Sequence, residues 1–179
     1  MHDNTPITLS ATALVAFGTK YGATTGIAEK IGDVLRGRGL EVDVVAASRA
    51  GDLAQYSAVV IGSGVYIGSW RKDAANFMKA NEKKLAELPV WLFSSGPTGA
   101  GDPVALLKGW TFPPGLQPTA DNIQPRDIAV FGGALDMHRL NPVERFMIKN
   151  VKAPAGDFRD WTAITAWASG IAETLVAGS

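Results

Sequence analysis

Short apolar runs alternate with amphipathic segments along most of the chain. Thr12–Phe17, Ser57–Ser63 and Val90–Ser94 are almost continuously apolar, a pattern typical of parallel strands buried on both faces. Two further runs, Glu41–Ala46 and Asp127–Gly133, complete a set of five predicted strands. Segments with helical spacing separate these runs. The pattern therefore predicts an α/β protein in three layers, with helices on both faces of a doubly wound, five-stranded parallel sheet.

Helix boundaries are marked by capping residues in the second half of the chain. One predicted helix covers about residues 71–87. Asn141, followed by Pro142 and Glu144, has the pattern of an N-cap, a proline at the first helical position and an acid two residues further on. Asp160 is predicted to cap the last helix.

The regular alternation stops between residues 96 and 125, which hold six of the ten prolines. A loop of this length inside a domain is usually functional, so we interpret the segment as an insert with a short helix around 104–108. Trp110 and Phe112 are its predicted apolar contacts beside a ligand. No linker or repeat divides the chain, which predicts one domain over residues 12–179 after a flexible lead of residues 1–11.

Composition excludes several classes of chemistry. Lys plus Arg number 17 and Asp plus Glu number 17, so no net field attracts nucleic acid, and we expect at most peripheral membrane contact. The chain has no cysteine and two histidines, and no spacing predicts a metal site. Redox chemistry would therefore need a bound organic cofactor. With no secretory signal pattern and no apolar run of about 18 residues, we expect a cytoplasmic location.

Ligands of doubly wound sheets bind beyond the carboxyl ends of the strands, which directs attention to three loops. The first follows the first strand and opens a helix, where backbone N–H groups and the helix dipole favour a phosphate. Its segment Gly18–Thr24 fits neither a P-loop nor a dinucleotide fingerprint. The alternative is a turn that only caps the helix. The candidate phosphate-binding residues are Thr19, Lys20, Tyr21, Gly22, Ala23 and Thr24.

The other two loops follow the third and fourth strands. In the second loop, glycines allow the backbone to pass close to a flat ligand, and Tyr66 is the predicted stacking residue. Trp70 has two equal interpretations, stacking on the ligand or packing at the start of the next helix. The candidate residues of the second loop are Gly64, Val65, Tyr66, Ile67 and Gly68. Those of the third loop are Ser94, Ser95, Gly96, Thr98 and Gly99.

The first loop carries a family resemblance. The spacing from Val15 through Phe17, Thr19 and Gly22 to Thr24 resembles the phosphate loop of flavodoxins. The resemblance implies that FMN is the cofactor, with its phosphate in the first loop and its isoalloxazine ring between the second and third loops. Lys20 is unusual beside flavodoxins, and we interpret it as pointing to solvent.

The carboxyl half carries a narrower resemblance. Gly132–Leu135, Val143–Lys149 and Asp157–Trp161 resemble the menaquinone-dependent protoporphyrinogen IX dehydrogenases, flavodoxin-like enzymes with an inserted segment in the last third. The segment 96–125 is interpreted as that insert. Val143–Lys149 can equally be a capped helix whose Phe146 and neighbouring apolar residues fill the core.

This second resemblance implies an FMN-dependent oxidoreductase that passes electrons from a reduced organic substrate, such as protoporphyrinogen, to a quinone-type acceptor. No catalytic side chain is predicted, because the flavin itself carries the chemistry. The alternatives are a flavodoxin-like electron carrier between redox proteins, or a flavin-fold domain with another role such as regulation. The formal neutrality of the chain favours the enzyme over the carrier, since carrier flavodoxins are typically strongly acidic.

Overall fold

The computed structural model describes residues 11–178, so the predicted lead of residues 1–11 lies, apart from Ala11, outside the described residues. The strands are β1 (Thr12–Gly18), β2 (Glu41–Ala46), β3 (Ala58–Tyr66), β4 (Ser69–Trp70), β5 (Val90–Ser95), β6 (Asp127–Phe131), β7 (Ala134–Leu135) and β8 (Gly156–Asp157). The α-helices are α1 (Ala23–Gly37), α2 (Lys72–Ala80), α3 (Glu82–Leu85), α4 (Pro103–Leu106), α5 (Gln117–Ile123), α6 (Pro142–Val151) and α7 (Trp161–Ala177).

Five strands form the predicted parallel sheet, in the order β2-β1-β3-β5-β6. The fold class is therefore confirmed as flavodoxin-like α/β. After β2 the chain returns past β1 to place β3 on its other side, so the strand order reverses between β1 and β3. Such a switch point opens a crevice at the carboxyl ends of the two strands, where doubly wound sheets bind ligands. The short strand β4 pairs antiparallel with the end of β3 and forms a hairpin there.

Alternating side chains of the strands feed two separate cores. Val15, Val60 and Phe93 pack on one face with α1 and α7, whereas Leu14 and Leu92 pack on the other with α2, α3 and α5. Both faces are thus covered, as a sheet of continuous apolar strands requires. The resulting three layers hold the carboxyl ends of β1, β3 and β5 in fixed positions.

The segment 96–125 is the crossover from β5 to β6 and contains α4 and α5. Phe112 is buried in the core, where its ring meets Trp70 edge to face with centroids 5.2 Å apart. Leu116 and Ile123 are buried in the same core. Phe112 is therefore a core residue rather than a ligand contact, and the segment carries helices of its own in the crossover. The predicted short helix is present as α4.

A longer departure from the simple winding lies between β6 and α7, in residues 132–160, which we call the excursion. β7 and β8 pair antiparallel at its base, Ala134 with Asp157 and Leu135 with Gly156, and α6 lies between them in the chain. An added Cβ on Gly132 would overlap the carbonyl of Phe158, so the two ends of the excursion meet closely. The excursion is therefore a compact addition between the last strand of the sheet and α7.

Both predicted caps are present, Asn141 within the excursion and Asp160 at its end. The Asn141 side chain accepts a hydrogen bond from the Glu144 amide, and the Glu144 carboxylate accepts one from the Asn141 amide, which makes a complete capping box. Asp160 accepts from the Ala163 amide at the start of α7. The helix predicted over 71–87 is divided at Asn81 into α2 and α3. Within residues 11–178, no helix combines the length and apolar character needed to cross a membrane.

Close packing of the central strands generates a stability prediction. An added Cβ on Gly62 would overlap the Phe93 ring, whereas one on Gly170, in the exposed middle of α7, meets nothing within 4 Å. We expect Gly62→Ala to lower the free energy of unfolding by about 1–3 kcal/mol through overpacking. Gly170→Ala, the control, should raise it by about 0.5–1 kcal/mol. Equal effects in urea denaturation would contradict the proposed contact.

Candidate functional site

A cavity of about 670 Å³ opens at the carboxyl ends of β1, β3 and β5. All three predicted loops reach it, and it extends from them to the excursion. The predicted residues that line it are Thr19, Lys20, Tyr21, Ala23, Thr24, Gly64, Val65, Tyr66, Ile67, Gly68, Ser95, Gly96 and Thr98. Gly22, Ser94 and Gly99 are the predicted site residues that do not line it.

The first loop ends at the N-terminus of α1, and within residues 11–178 no side chain caps that helix. Gly22 occupies the N-cap position with a φ of 91°, a left-handed conformation that favours glycine. Its amide donates to Thr19 Oγ1 at 3.0 Å, which closes the turn. The following residues, Ala23 and Thr24, line the cavity. Since the first N–H groups of a helix have no intrahelical partner, this turn offers donors to an anion.

The second loop is the hairpin between β3 and β4. Its turn residues, Ile67 and Gly68, have φ values of 50° and 69°. A left-handed conformation is unfavourable for a β-branched residue, yet Ile67 is largely exposed and gains no core packing there. Gly64 approaches the first loop so closely that an added Cβ would lie 3.1 Å from Thr24 Oγ1. The two loops therefore meet across the switch point.

Trp70 packs rather than stacks on a ligand, which decides between its two interpretations. It is buried, and its Nε1–H donates to Ser94 Oγ at 2.8 Å. Ser94 is buried as well, because alternation along β5 turns its side chain away from the side that Ser95 presents to the cavity. The prediction of Ser94 as a cofactor contact is wrong, since its hydroxyl is an internal partner of Trp70.

The third loop is fixed to the end of β6. The Gly96 amide donates to the Phe131 carbonyl at 3.2 Å, and the Gly133 amide donates to the Pro97 carbonyl at 2.9 Å. Gly99 lies behind the cavity wall, where an added Cβ would be 3.4 Å from Leu106 Cδ1. The cavity face of this loop is formed by Ser95 to Thr98. Its backbone is held by partners outside the loop.

The excursion and α4 complete the cavity with residues that the sequence analysis did not identify. Their shared property is a predominantly apolar surface. The apolar residues are Leu106, Leu107, Ala134, Leu135, Leu140, Ile148, Val151, Ala153 and Pro154. The charged additions are Glu144 and Lys152 of the excursion and, from the start of α2, Arg71. The run of three apolar residues between Arg145 and Lys149 of α6 was the available signal. The core-filling interpretation of that helix is wrong, because Phe146 and Met147 are exposed.

Lys20 pairs with Glu144 of α6, so its interpretation as a solvent-facing side chain is wrong. Its Nζ also lies 5.1 Å from the ring centroid of Tyr21 and 5.0 Å from that of Tyr66. The hydrogen bond from Lys20, with a contribution from the Asn141 amide, lowers the pKa of the Glu144 carboxyl to about 2. The same bond to Glu144 raises the pKa of Lys20, while burial raises the pKa of Tyr21. Both partners of the pair are therefore charged at neutral pH.

Two arginines of the excursion also hold the first loop. Arg139 Nη1 donates to the Tyr21 carbonyl at 2.6 Å, and Arg159 Nη1 donates to the Ala23 carbonyl at 3.2 Å. Arg159 is itself oriented by a bidentate pair with Asp157. An added Cβ on Gly22 would lie 3.4 Å from Arg139 Nη1, so that cation borders the turn. The excursion thus brings positive charge to the N-terminus of α1.

Comparison with known proteins agrees with this geometry. The model of the flavodoxin domain family matches residues 14–162. The chain belongs to the flavodoxin domain family. No curated protein matches the sequence of this flavodoxin-domain protein.

Solved structures share the fold of this flavodoxin-domain protein at low sequence identity. A flavodoxin from the domain Archaea aligns with a TM-score of 0.59 and 14% identity over 92% of this chain and 98% of its own. A Streptococcus pneumonia TIGR4 flavodoxin aligns with a TM-score of 0.55 and 17% identity, over 94% and 100%. A flavodiiron core from Synechocystis sp. PCC6803 gives 0.61 and 11%, over 95% of this chain and 37% of its own.

FMN is the cofactor of this flavodoxin-domain protein. The residues present fit the group. The uncapped first turn of α1, its left-handed Gly22 and the neighbouring Arg139 suit a phosphate. The hairpin and the third loop line the same cavity, with glycines at Gly64 and Gly96 where the backbone comes close.

The turn at Gly22 generates a binding prediction. Gly22→Asp should raise the Kd for FMN at least ~100-fold, because a carboxylate would oppose the phosphate at its donors. Thr24→Ala should be milder, raising it on the order of 10-fold if one charge-assisted hydrogen bond is lost. Gly39→Asp is the matched control, since Gly39 also has a positive φ but lies beyond the other end of α1. Fluorescence titration measures all three. If both site variants bind FMN like the parent, the first loop only caps α1 and does not bind the phosphate.

The Lys20–Glu144 pair generates a pH prediction. The folded-state pKa of Glu144, about 2, lies below its ordinary value of 4.5. The ionised carboxyl therefore stabilises the folded protein above about pH 4.5, and this contribution disappears as the pH falls toward 2. Thermal unfolding of Glu144→Gln should differ from the parent most above pH 5 and least near pH 2. Glu173→Gln, which removes an exposed pair with Arg38, should follow the parent throughout. A pH-independent difference for Glu144→Gln would contradict the assignment.

Proposed function

We propose that this protein is an FMN-dependent oxidoreductase that passes electrons from a reduced organic substrate to a quinone-type acceptor. In this proposal the phosphate is held by Thr19 to Thr24, and the ring lies between the hairpin residues 64–68 and the third-loop residues 95–98. Bound FMN supplies the redox chemistry, since it accepts and releases electrons singly or as hydride. The substrate gives up two electrons and two protons, and the quinone takes up the same number to become the quinol.

The observation that carries the proposal is the apolar wall opposite the three loops. Leu135, Leu140 and Ile148 of the excursion line the cavity together with Leu106 of the crossover. The cavity volume, about 670 Å³, lies within the range of small-molecule sites, roughly 300–1,000 Å³. An electron carrier needs only an accessible flavin edge, whereas an enzyme must hold an organic molecule beside the ring. A mostly apolar wall with few charges suits a quinone.

Charged groups at the cavity narrow the proposed substrate. Lys20 is protonated and paired with Glu144, and Lys152 lines the cavity without an ion-pair partner among the described residues. A large apolar molecule with carboxylate groups would use the wall and a rim cation together. Protoporphyrinogen, the substrate implied by the resemblance of the carboxyl half, has this chemistry, and we propose it as the electron donor.

A flavodoxin-like electron carrier is the second candidate. It is favoured by the match to almost the full length of the archaeal and streptococcal flavodoxins. The equal numbers of acidic and basic residues disfavour it, because steering toward basic partner surfaces needs a negative field.

Ile148 and its neighbour Met147 provide a matched test. Ile148 lines the cavity, whereas Met147 is exposed and does not. We expect Ile148→Gln to slow the reoxidation of the anaerobically reduced, FMN-loaded protein by menadione about 10-fold, since a buried polar group opposes apolar binding. Met147→Gln should reoxidise like the parent, and both variants should react equally with ferricyanide. Stopped-flow absorbance measures the rates.

Two results, one for the acceptor and one for the donor, would change the proposed function. Equal menadione rates in the parent and Ile148→Gln would favour the carrier. The donor is tested by adding protoporphyrinogen IX and menadione under anaerobic conditions and following porphyrin fluorescence. If menadione reoxidises the flavin but no porphyrin forms, the quinone stays as the proposed acceptor and protoporphyrinogen is excluded as the donor.

A further inference from the structure

Helix α6 carries its apolar side chains on the outside. Val143, Phe146 and Val151 are 68%, 66% and 71% exposed, and Met147 is exposed as well. With about 100° between successive residues, these four side chains fall in a sector of about 140°, together with Asn150. We call this sector the α6 face. Glu144, the acid of the helix, is the buried residue. This polarity is the reverse of a helix that packs its apolar side on its own core.

The α6 face adjoins the mouth of the cavity. Val151 belongs to both, because it is exposed and also lines the cavity. Ile67 and Leu106 line the same cavity and are exposed too, Ile67 by 76%. Ile67 has an unfavourable left-handed backbone conformation, and its side chain gains no packing in the core. Apolar side chains therefore surround the entrance to the site.

The charge beside the α6 face has a single sign. Arg145 and Lys149 occupy the neighbouring sector of the helix, and Lys152 follows at its end. All three are exposed. Glu144 does not neutralise them, because it is buried and paired with Lys20. The chain as a whole is formally neutral, so this cationic edge is a local feature.

We propose that the α6 face docks on the surface of an anionic lipid bilayer. An apolar helix face bordered by cations is complementary to such a surface, since apolar side chains enter the boundary between headgroups and acyl chains while cations contact lipid phosphates. Docking places the cavity mouth at the lipid surface. This use of the surface rests on the proposed function, because apolar quinones dissolve in the bilayer.

Two other occupants are less well matched to the observations. A second copy of the chain, related by two-fold symmetry, would bring the cationic edges of two α6 helices together. A peptide would need a groove, whereas the four side chains project to solvent from one short helix. The bilayer is the occupant that accepts both the apolar sector and the unopposed cations.

The test is sedimentation of the FMN-loaded full chain with vesicles. We expect binding to vesicles of phosphatidylcholine with one-third phosphatidylglycerol, weak binding to pure phosphatidylcholine, and a decrease with salt. The double variant Val143→Ser/Phe146→Ser should bind the anionic vesicles at least ~10-fold more weakly. Lys149→Glu should lose about 5- to 10-fold. Neither variant changes a residue that lines the cavity.

Matched controls lie on other surfaces. Val176→Ser removes an exposed valine from α7, and Lys79→Glu reverses a charge on α2. Both should bind vesicles like the parent. Because Val143 and Phe146 are exposed, their double variant should keep the parent's Tm and flavin absorbance, which separates lost docking from lost folding.

Three outcomes would overturn the proposal. The first is a parent that stays in the supernatant with anionic vesicles, and the second is a double variant that sediments like the parent. The third is a parent that forms dimers through this face in analytical ultracentrifugation and leaves the vesicles unbound. The vesicle assay contains no redox reaction, so docking and the proposed function fail separately. Vesicle binding without menadione turnover would support docking and contradict the proposed function.

Discussion

The first turn of α1 borders the cavity, and among the described residues no side chain caps it. Since the first N–H groups of a helix have no intrahelical partner, this turn offers donors to an anion. Its place follows from topology, because the strand order reverses between β1 and β3 and leaves a crevice there. The hairpin, the third loop and the excursion line the same cavity as this turn.

The excursion is the element that converts this crevice into a chamber. Glu144 links its parts, since one carboxylate caps α6 and also binds Lys20 of the first loop. Arg139 and Arg159 add hydrogen bonds to the carbonyls of that loop. The position of α6, the apolar wall and the cofactor loop are consequently coupled. In the same helix, inward placement of Glu144 leaves the apolar side chains for the outside.

The sequence was sufficient to predict the sheet, because parallel strands buried on both faces are continuous apolar runs with few competing interpretations. Most of the site residues that it predicted line the cavity, since loops at carboxyl strand ends gather at the switch point. The prediction of Ser94 as a cofactor contact was wrong, because successive side chains of a strand face opposite sides of the sheet. The pairing of Lys20 with Glu144 spans 124 positions and leaves no local pattern. The many prolines of residues 96–125 concealed helix α5 of the crossover. The exposure of Phe146 could not be predicted, because it depends on tertiary packing.

The central claim is that the cavity at the carboxyl edge of the sheet holds one FMN. The direct measurement is heat release of the pigment from the purified protein, followed by chromatography and quantification against protein concentration. One FMN per chain, before or after reconstitution, is the predicted result. FAD as the released pigment, or no flavin retained after reconstitution, would contradict the account.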